Sequence, residues 1–253
     1  MNIRLIRHAT LILTINGSKV LVDPMLGSKG AYAPIPSRVI KRNPVIELPI
    51  TKGELEDIIN EIDMVLLTHT HNDHFDKTAH ELLPREIPVI CQPEDEEKLK
   101  QMGFTKVYSV NTSLLWNGIK LIRTGGQHGT GKIAEKMAPV SGFVVEAPEE
   151  PSLYIAGDTV WCDEVESALG GYNPSIVVLN MGSARFLTGD PITMGTSDIQ
   201  KVCQKSKEAR IVAVHMETMN HCGLCREELK KFLIEHNLDN RVDIPADGEE
   251  ISL

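Results

Sequence analysis

Met64-Val-Leu-Leu-Thr-His-Thr-His-Asn-Asp-His-Phe75 is the stretch around which the chain is organised. Its apolar run, Met64–Leu67, is short and uninterrupted, which predicts a buried strand. Four potential metal ligands follow in the turn that leaves this strand: His69, His71, Asp73 and His74. Imidazole nitrogens and carboxylate oxygens are the usual non-sulfur ligands of zinc and similar divalent ions. The alternative is a solvated loop that happens to be rich in histidine, and the rest of the chain argues against it.

The same arrangement, an apolar strand followed by a ligand, recurs at three later points. His128 lies at the centre of a glycine-rich loop that follows a predicted strand. His215 directly follows a further apolar strand, and Asp158 follows another after one glycine, Gly157. Taken singly, each of these residues would be weak evidence. Because α/β proteins place their sites at the carboxyl ends of strands, we expect these side chains to meet the first cluster.

His8 and Asp23 stand at strand ends in a β-meander that opens the chain. Two predicted strands are joined to a third by Asn16-Gly17, which is a strong hairpin signal. In one interpretation His8 and Asp23 lie near the metal ligands and support them. A second interpretation is equally favoured, in which a buried histidine and a turn aspartate form local hydrogen bonds.

Composition limits the classes of protein that fit. At 253 residues, the chain is long enough for one large domain or two small ones with a substantial core. The net charge of −9 argues against a general nucleic-acid binder, which usually carries a basic face. It does not exclude an anionic substrate, since two divalent cations make a local site positive whatever the overall charge.

The cysteines and the amino terminus predict a cytoplasmic protein. Five scattered cysteines without framework spacing indicate reduced thiols. Among them, Cys222 and Cys225 are interpreted as incidental thiols near a helix start, because no second ligand pair accompanies them. The first residues contain no continuous apolar segment typical of a signal peptide. No apolar stretch approaches the ~20 residues that cross a bilayer, so we expect no membrane association.

Residues 24–52 form a long proline-containing connection with little periodicity. Long loops in compact domains are often lids or binding loops, and Tyr32 and Arg38 would then face a substrate. A surface loop that contacts no bound molecule fits the sequence at least as well.

Taken together, these motifs closely resemble those of the metallo-β-lactamase superfamily. The matching pieces are His69-Thr-His71-Asn-Asp73-His74, His128, Ala156-Gly-Asp158-Thr159 and His215. Three further pieces extend the likeness: His8-Ala-Thr, Asp23-Pro24 and Met194-Gly. With them, the sequence resembles the branch that contains the L-ascorbate-6-phosphate lactonase-like hydrolases. The resemblance implies a single domain over residues 1–253, of the α/β (α+β) class, with the superfamily's four-layer αβ/βα sandwich.

The resemblance also implies a dinuclear metal site, commonly of zinc, with manganese or iron as alternatives. Position by position it implies seven ligands: His69, His71 and His128 at the first metal, Asp73, His74 and His215 at the second, and Asp158 bridging both. Metal-bound hydroxide would attack the substrate. Asp73 and Asp158 are the expected catalytic carboxylates, and Asp73 or the metal-bound oxygen would pass a proton to the leaving group.

These features predict a metal-dependent hydrolase of a small anionic ester, lactone or phosphodiester, with sugar-acid phosphate lactones as a first guess. Arg185, His221 and Asn220 are the candidate substrate contacts, although a surface or supporting role fits each about as well. Two alternatives stay open: an RNA- or DNA-processing nuclease of the same fold, and a non-catalytic metal- or ligand-binding protein. We expect no nucleic-acid partner, and the sequence leaves a homo-oligomer open.

Overall fold

Fourteen strands and seven helices make up the described part of the computed structural model, which comprises residues 1–137 and 139–252. The strands are β1 (Asn2–Arg7), β2 (Thr10–Ile15), β3 (Ser18–Val22), β4 (Met64–Leu66), β5 (Val89–Cys91), β6 (Val107–Ser109), β7 (Ser113–Trp116), β8 (Ile119–Thr124), β9 (Gly142–Glu146), β10 (Leu153–Ile155), β11 (Ile176–Asn180), β12 (Arg210–Val214), β13 (Val242–Asp243) and β14 (Glu250–Ser252). The helices are α1 (Lys52–Glu61), α2 (Lys77–Leu82), α3 (Pro93–Gln101), α4 (Gly131–Ala134), α5 (Asp163–Tyr172), α6 (Thr196–Lys205) and α7 (Arg226–Glu235).

The strands form two seven-stranded sheets, each with antiparallel and parallel pairs. The first sheet has the order β14-β1-β2-β3-β4-β5-β6, and the second has the order β13-β12-β11-β10-β9-β8-β7. In the first sheet, β3, β4 and β5 are parallel neighbours, and β1 runs in the same direction as β3. In the second, β10, β11 and β12 are parallel, and β8 runs with them. The carboxyl ends of the ligand-bearing strands therefore share one edge of each sheet.

Three hydrophobic clusters define four layers. A central cluster joins the facing surfaces of the two sheets, with Leu13 on one side and Phe143 on the other. A second cluster packs the first sheet under α2 and α3, and a third packs the second sheet under α5, α6 and α7. Along β11, Val177 faces the helices while Val178 faces the opposite sheet, as the alternation of a strand requires. The predicted four-layer αβ/βα sandwich is thereby confirmed.

Local signals in the sequence account for the helix starts on the first sheet. The Thr51 hydroxyl accepts a hydrogen bond from the Glu54 amide, and the Glu54 carboxylate accepts one from the Thr51 amide, which closes a capping box on α1. Asp76 caps α2 by accepting a hydrogen bond from the Ala79 amide. None of the described helices is long and apolar enough to cross a membrane.

Arg7 anchors the long 24–51 connection to the first sheet. Its side chain is completely buried, and its guanidinium donates to the carbonyl oxygens of Met25 (3.1 Å), Gly27 (2.7 Å) and Ile46 (3.2 Å). Burial lowers the pKa of Arg7, although nearby acidic groups, Asp76 first, oppose that shift. Asp76 adds a second attachment, since its carboxylate accepts from the Gly27 amide and from the Tyr32 hydroxyl.

Replacing Arg7 with Met should destabilise the protein by about 2–4 kcal/mol, because two buried carbonyl groups and one partly buried carbonyl group would lose their donor. Urea unfolding followed by circular dichroism measures this change. Arg4→Met is the matched control on the same strand, since Arg4 is half-buried and forms one long hydrogen bond, to Gly248. Equal losses in the two variants would contradict the anchoring role of Arg7.

Candidate metal centre

The predicted ligands meet because each follows the carboxyl end of a strand at the shared edge of the sandwich. His69, His71, Asp73 and His74 leave β4, whereas His128 follows β8, Asp158 follows β10 and His215 follows β12. All of them are buried except His71, which is partly exposed. The structure thus brings together all seven predicted ligands, from both sheets.

Three groups of donor atoms are close enough to share an ion, with all atoms of a group within 4.8 Å of one another. They are His69 with His71 and His128; His8 with Asp73, His74 and His215; and His69 with His74 and Asp158. Asp158 lies between the other two groups. Its Oδ2 is 3.3 Å from His74 Nε2 and 3.6 Å from His128 Nε2, and its Oδ1 is 3.3 Å from His215 Nε2.

The unsatisfied polar atoms of this cluster fit divalent metal ions. The Nε2 atoms of His74 and His215 are buried and have no hydrogen-bond partner among the described residues. Each lies 3.3 Å from an oxygen of Asp158, without hydrogen-bond geometry. Buried polar groups normally find partners, and a shared cation would satisfy several of these at once. A donor set of nitrogen and oxygen suits zinc, manganese or iron.

Asp23 holds His74 in place from the first sheet. Its Oδ2 accepts a hydrogen bond from His74 Nδ1 at 2.8 Å and from the Thr68 hydroxyl at 2.7 Å. Its Oδ1 accepts from the Thr68 amide at 2.8 Å. Imidazoles that bind metals are commonly oriented by a carboxylate on the other ring nitrogen. Asp23 therefore supports His74, a predicted metal ligand, and this was one of the two roles that the sequence left open for it.

Two further contacts orient ligands on the second sheet. Nδ1 of His128 lies 2.9 Å from the Ile192 carbonyl oxygen, to which it can donate, leaving Nε2 directed towards Asp158. The side-chain amide of Asn180 donates a hydrogen bond to Asp158 Oδ1 at 2.7 Å. Sequence reasoning did not select Asn180, although its place at the end of β11 follows the same pattern as the ligands. Both contacts fix a ring or carboxylate orientation before any ion binds.

Burial and charge set the protonation of the cluster. Burial lowers the pKa of His69 and of His215 well below the ordinary value, which favours neutral imidazoles. Burial alone would raise the pKa of Asp158, but His215 and His74 reverse this and hold it well below its usual range. Burial opposes a proton on His74, yet Asp158 and Asp23 raise its pKa well above the ordinary value. These shifts favour an ionised Asp158, whereas burial raises the pKa of the supporting Asp23 above its ordinary value. A metal at Nε2 of His74 would require the neutral ring, with its proton on Nδ1 facing Asp23.

A cavity of about 380 Å³ opens onto this cluster. Its floor includes His71, Asp73, His128 and Asp158. The walls are largely apolar and comprise Ala33, Ile35, Pro36, Met137, Phe186, Ile192 and Met219. Among the described lining residues, none is a lysine or an arginine. Loop residues from the 24–51 connection form one wall, so this connection borders the site rather than being a remote surface excursion.

The predicted substrate contacts are placed differently from one another. His221 lines the cavity, is 6% exposed, and has an Nδ1 atom without a partner in the described part of the chain. Burial lowers its pKa, which favours the neutral ring. Arg185 is exposed and lies outside the described cavity lining. Tyr32 lines the cavity, whereas the exposed Arg38 does not.

Asn220 supports the cavity wall instead of lining it. Its side-chain amide donates to Ile35 O (2.8 Å), Ser37 Oγ (2.8 Å) and Val39 O (2.5 Å). Its Oδ1 accepts from the Asn43 amide group at 2.7 Å. With these bonds formed, the side chain has no free donor for a substrate. The predicted direct contact is therefore replaced by an anchoring role.

Cys222 and Cys225 have separate roles in the structure. Both thiols are free, and neither belongs to the groups of possible metal ligands among the described residues. Cys225 is the N-cap residue of α7. Cys222 Sγ lies 3.9 Å from His215 Nδ1, so this thiol packs beside a predicted ligand. Cys225 therefore lies at a helix start, as expected, whereas Cys222 contacts the predicted metal site.

Comparison with known proteins agrees with the fold and the ligand cluster. The sequence model of the β-lactamase superfamily domain matches residues 18–216. The protein YddR of Bacillus subtilis is 39% identical over 253 residues, and the match covers 98% of each chain. A metal-dependent hydrolase of Methanopyrus kandleri is 27% identical, with 98% of each chain covered. The crystal structure of an isothiocyanate hydrolase from Delia radicum gut bacteria is 36% identical, with a TM-score of 0.94, covering 100% of this chain and 99% of that one.

The chain therefore belongs to the β-lactamase superfamily, as the motifs predicted. It is a metal-dependent hydrolase with the metallo-β-lactamase fold, and its histidine and aspartate cluster is able to bind metal.

Replacing Asp23 with Asn should weaken metal binding by about 10–100-fold, because His74 would lose the carboxylate that orients its ring. Titration of the metal-free protein against a chelating dye measures the affinity. Asp63→Asn is the matched control, since Asp63 also accepts a backbone hydrogen bond but lies exposed before β4, at the opposite edge of the sheet. Unchanged affinity in Asp23→Asn would refute the orienting role.

Proposed function

We propose that this protein hydrolyses small, uncharged organic isothiocyanates at a dinuclear metal centre. The observation that carries the proposal is the apolar cavity directly above the ligand cluster, with no cationic side chain in its described lining. Its volume lies in the lower part of the range of about 300–1,000 Å³ that is usual for ligand sites. The similarity to an isothiocyanate hydrolase over the whole chain supports the same substrate class.

Two divalent ions, with zinc as the first choice, complete the proposed centre. His69, His71 and His128 would hold one ion, while Asp73, His74 and His215 would hold the other. Asp158 would contribute to both positions, since its two oxygens approach histidines of both groups. When bound, such ions activate water for attack near neutral pH and draw electron density from the substrate.

The reaction consumes one water molecule per isothiocyanate. The water oxygen bonds to the central carbon, and one proton goes to nitrogen, which gives a thiocarbamic acid. The carbon–nitrogen bond then breaks as the second proton reaches nitrogen, releasing a primary amine and carbonyl sulfide. No oxidant or further reactant is required.

Side chains of the cavity would position the substrate and move its protons. Phe186, Ile192 and Met219 offer an apolar surface for the organic group, which also limits bulk water at the reacting carbon. Asp73 lies on the cavity floor; burial would raise its pKa, but the His8 and His74 interactions lower it well below its usual range. Asp73 would therefore stay ionised and direct the proton of the attacking water towards nitrogen as a hydrogen-bond acceptor, without taking the proton itself. Nδ1 of His221, which has no partner among the residues that the structure describes, suits a hydrogen bond to substrate.

A small anionic ester, lactone or phosphodiester is the second candidate substrate. Its support is the charge of the centre, because two dications would exceed the two carboxylates, Asp73 and Asp158. A phosphorylated lactone would lack a cationic partner among the described cavity residues, since Arg185 lies outside the lining. RNA is a weaker candidate because the chain carries a net charge of −9.

Zinc-loaded protein should release a primary amine from allyl, benzyl and phenethyl isothiocyanate, measured with an amine-reactive fluorophore. Activity should disappear on chelation, return with metal, and be absent from Asp158→Asn. The same preparations are assayed with lactones, phosphate diesters and RNA. Turnover of these substrates without amine release would replace the isothiocyanate proposal with the second candidate or the nuclease. Metal binding without turnover of any substrate would favour a binding protein.

Phe186→Ala should lower kcat/KM for benzyl isothiocyanate about tenfold, because the apolar contact between the aromatic ring and the organic group is lost. The effect on allyl isothiocyanate should be smaller, since its organic group buries less surface. Leu187→Ala is the matched control: Leu187 is the next residue, is 60% exposed, and does not belong to the described lining. A similar loss in both variants would contradict this position of the substrate.

A further inference from the structure

His8 occupies an unusual position for a residue that would only fill the core. It follows β1 directly and has a backbone φ of 63°, a left-handed conformation that is uncommon outside glycine. Its side chain is completely buried. Neither ring nitrogen forms a hydrogen bond within the described residues. A buried imidazole without partners is unfavourable, so the local structure must gain something from holding it there.

The surroundings of the ring show where an interaction is available. His8 Nε2 lies 3.6 Å from Asp73 Oδ2, too far for a good hydrogen bond but close enough for two ligands of one ion. Its ring lies against that of His215, with the ring centroids 3.6 Å apart. One donor atom from each of His8, Asp73, His74 and His215 lies within 4.8 Å of all the others.

We propose that His8 is itself a metal ligand, sharing one ion with Asp73, His74 and His215. This position would then be held by three histidines and one carboxylate, with Asp158 beside them. The donor set is nitrogen and oxygen throughout, as zinc accepts. The backbone supports the placement, because the His215 amide donates to the His8 carbonyl oxygen at 2.9 Å and ties the two ligands together.

A supporting role through Asp73 is the competing explanation for the same geometry. In that case His8 would donate to the carboxylate and stay out of contact with the ion. If His8 binds the ion, its Nε2 atom gains a bonding partner. A distance of 3.6 Å from Asp73 Oδ2 gives that atom no hydrogen bond. The proposal requires a metal but does not depend on the substrate.

Metal binding separates these roles without any measurement of activity. In His8→Gln, one of two bound zinc ions should bind at least about tenfold more weakly, and the other should be unaffected. Stoichiometry and affinity are measured by competition with a chelating dye on protein whose fold is checked by circular dichroism. His236→Gln is the matched control, since His236 is exposed at the end of α7. Unchanged binding of both ions in His8→Gln would overturn the proposal.

Cobalt-loaded His8→Cys distinguishes direct contact from positioning. A thiolate at position 8 should give a near-ultraviolet charge-transfer band that cobalt-loaded wild-type protein lacks. Weaker binding in His8→Gln combined with no such band would mean that His8 only positions Asp73, and the proposal would be wrong.

The zinc-loaded wild-type protein gives a test that does not depend on variants. A crystal structure with zinc located by anomalous scattering should show His8 Nε2 about 2.0–2.1 Å from an ion. A separation well beyond that bonding distance would overturn the proposal even if neither variant folds. Failure of isothiocyanate turnover alone would leave these results unaltered and would count against the proposed substrate instead.

Discussion

A polar chain that crosses the sandwich is the interaction on which the site depends. Asp23, at the end of a strand in the first sheet, accepts from His74, whose other ring nitrogen faces Asp158 on the second sheet. Asn180 then donates to Asp158 from the neighbouring strand. In a buried region such contacts are strong when they are complete and costly when one member is missing. The hydrogen bonds at the two ends therefore set the positions of His74 and Asp158, while the contact between these two residues, 3.3 Å without hydrogen-bond geometry, is one that a shared ion would complete.

The backbone around this chain is held in unfavourable conformations. His8, Asp23 and His215 all have left-handed φ values, of 63°, 44° and 67°. Each follows a strand end, so the turn directs its side chain along the shared edge instead of into a sheet face. Such conformations cost about 1–3 kcal/mol each and persist where the surrounding structure compensates. The packed core between the sheets supplies that compensation, and the resulting cluster is pre-organised for metal.

The floor and the walls of the cavity have contrasting character. Ionised carboxylates and imidazoles form the floor, where bound ions would supply positive charge, while apolar side chains form the walls. This combination provides strong polarisation at the reacting atom and weak polarity around the rest of the substrate. The walls come from distant parts of the chain and are held by internal anchors. Arg7 binds carbonyl groups of the 24–51 connection, and Asn220 fastens residues 35–43.

The sequence by itself predicted most of the strands and the histidines and aspartates that could bind metal, because these residues come soon after short apolar runs and this signal is local. The layer arrangement and the assignment of seven ligands to two ions came from the resemblance to the superfamily. The sequence also left two possible roles for His8 and Asp23: support of the metal ligands, or local hydrogen bonds. What only the tertiary structure decided depends on residues far apart in the chain. The closeness of His8 to His215, the anchoring by Asn220 and the apolar cavity arise when separate loops pack together at one edge. Local pattern names the groups that can bind a metal, but three-dimensional packing decides which of them share an ion and what the site can hold.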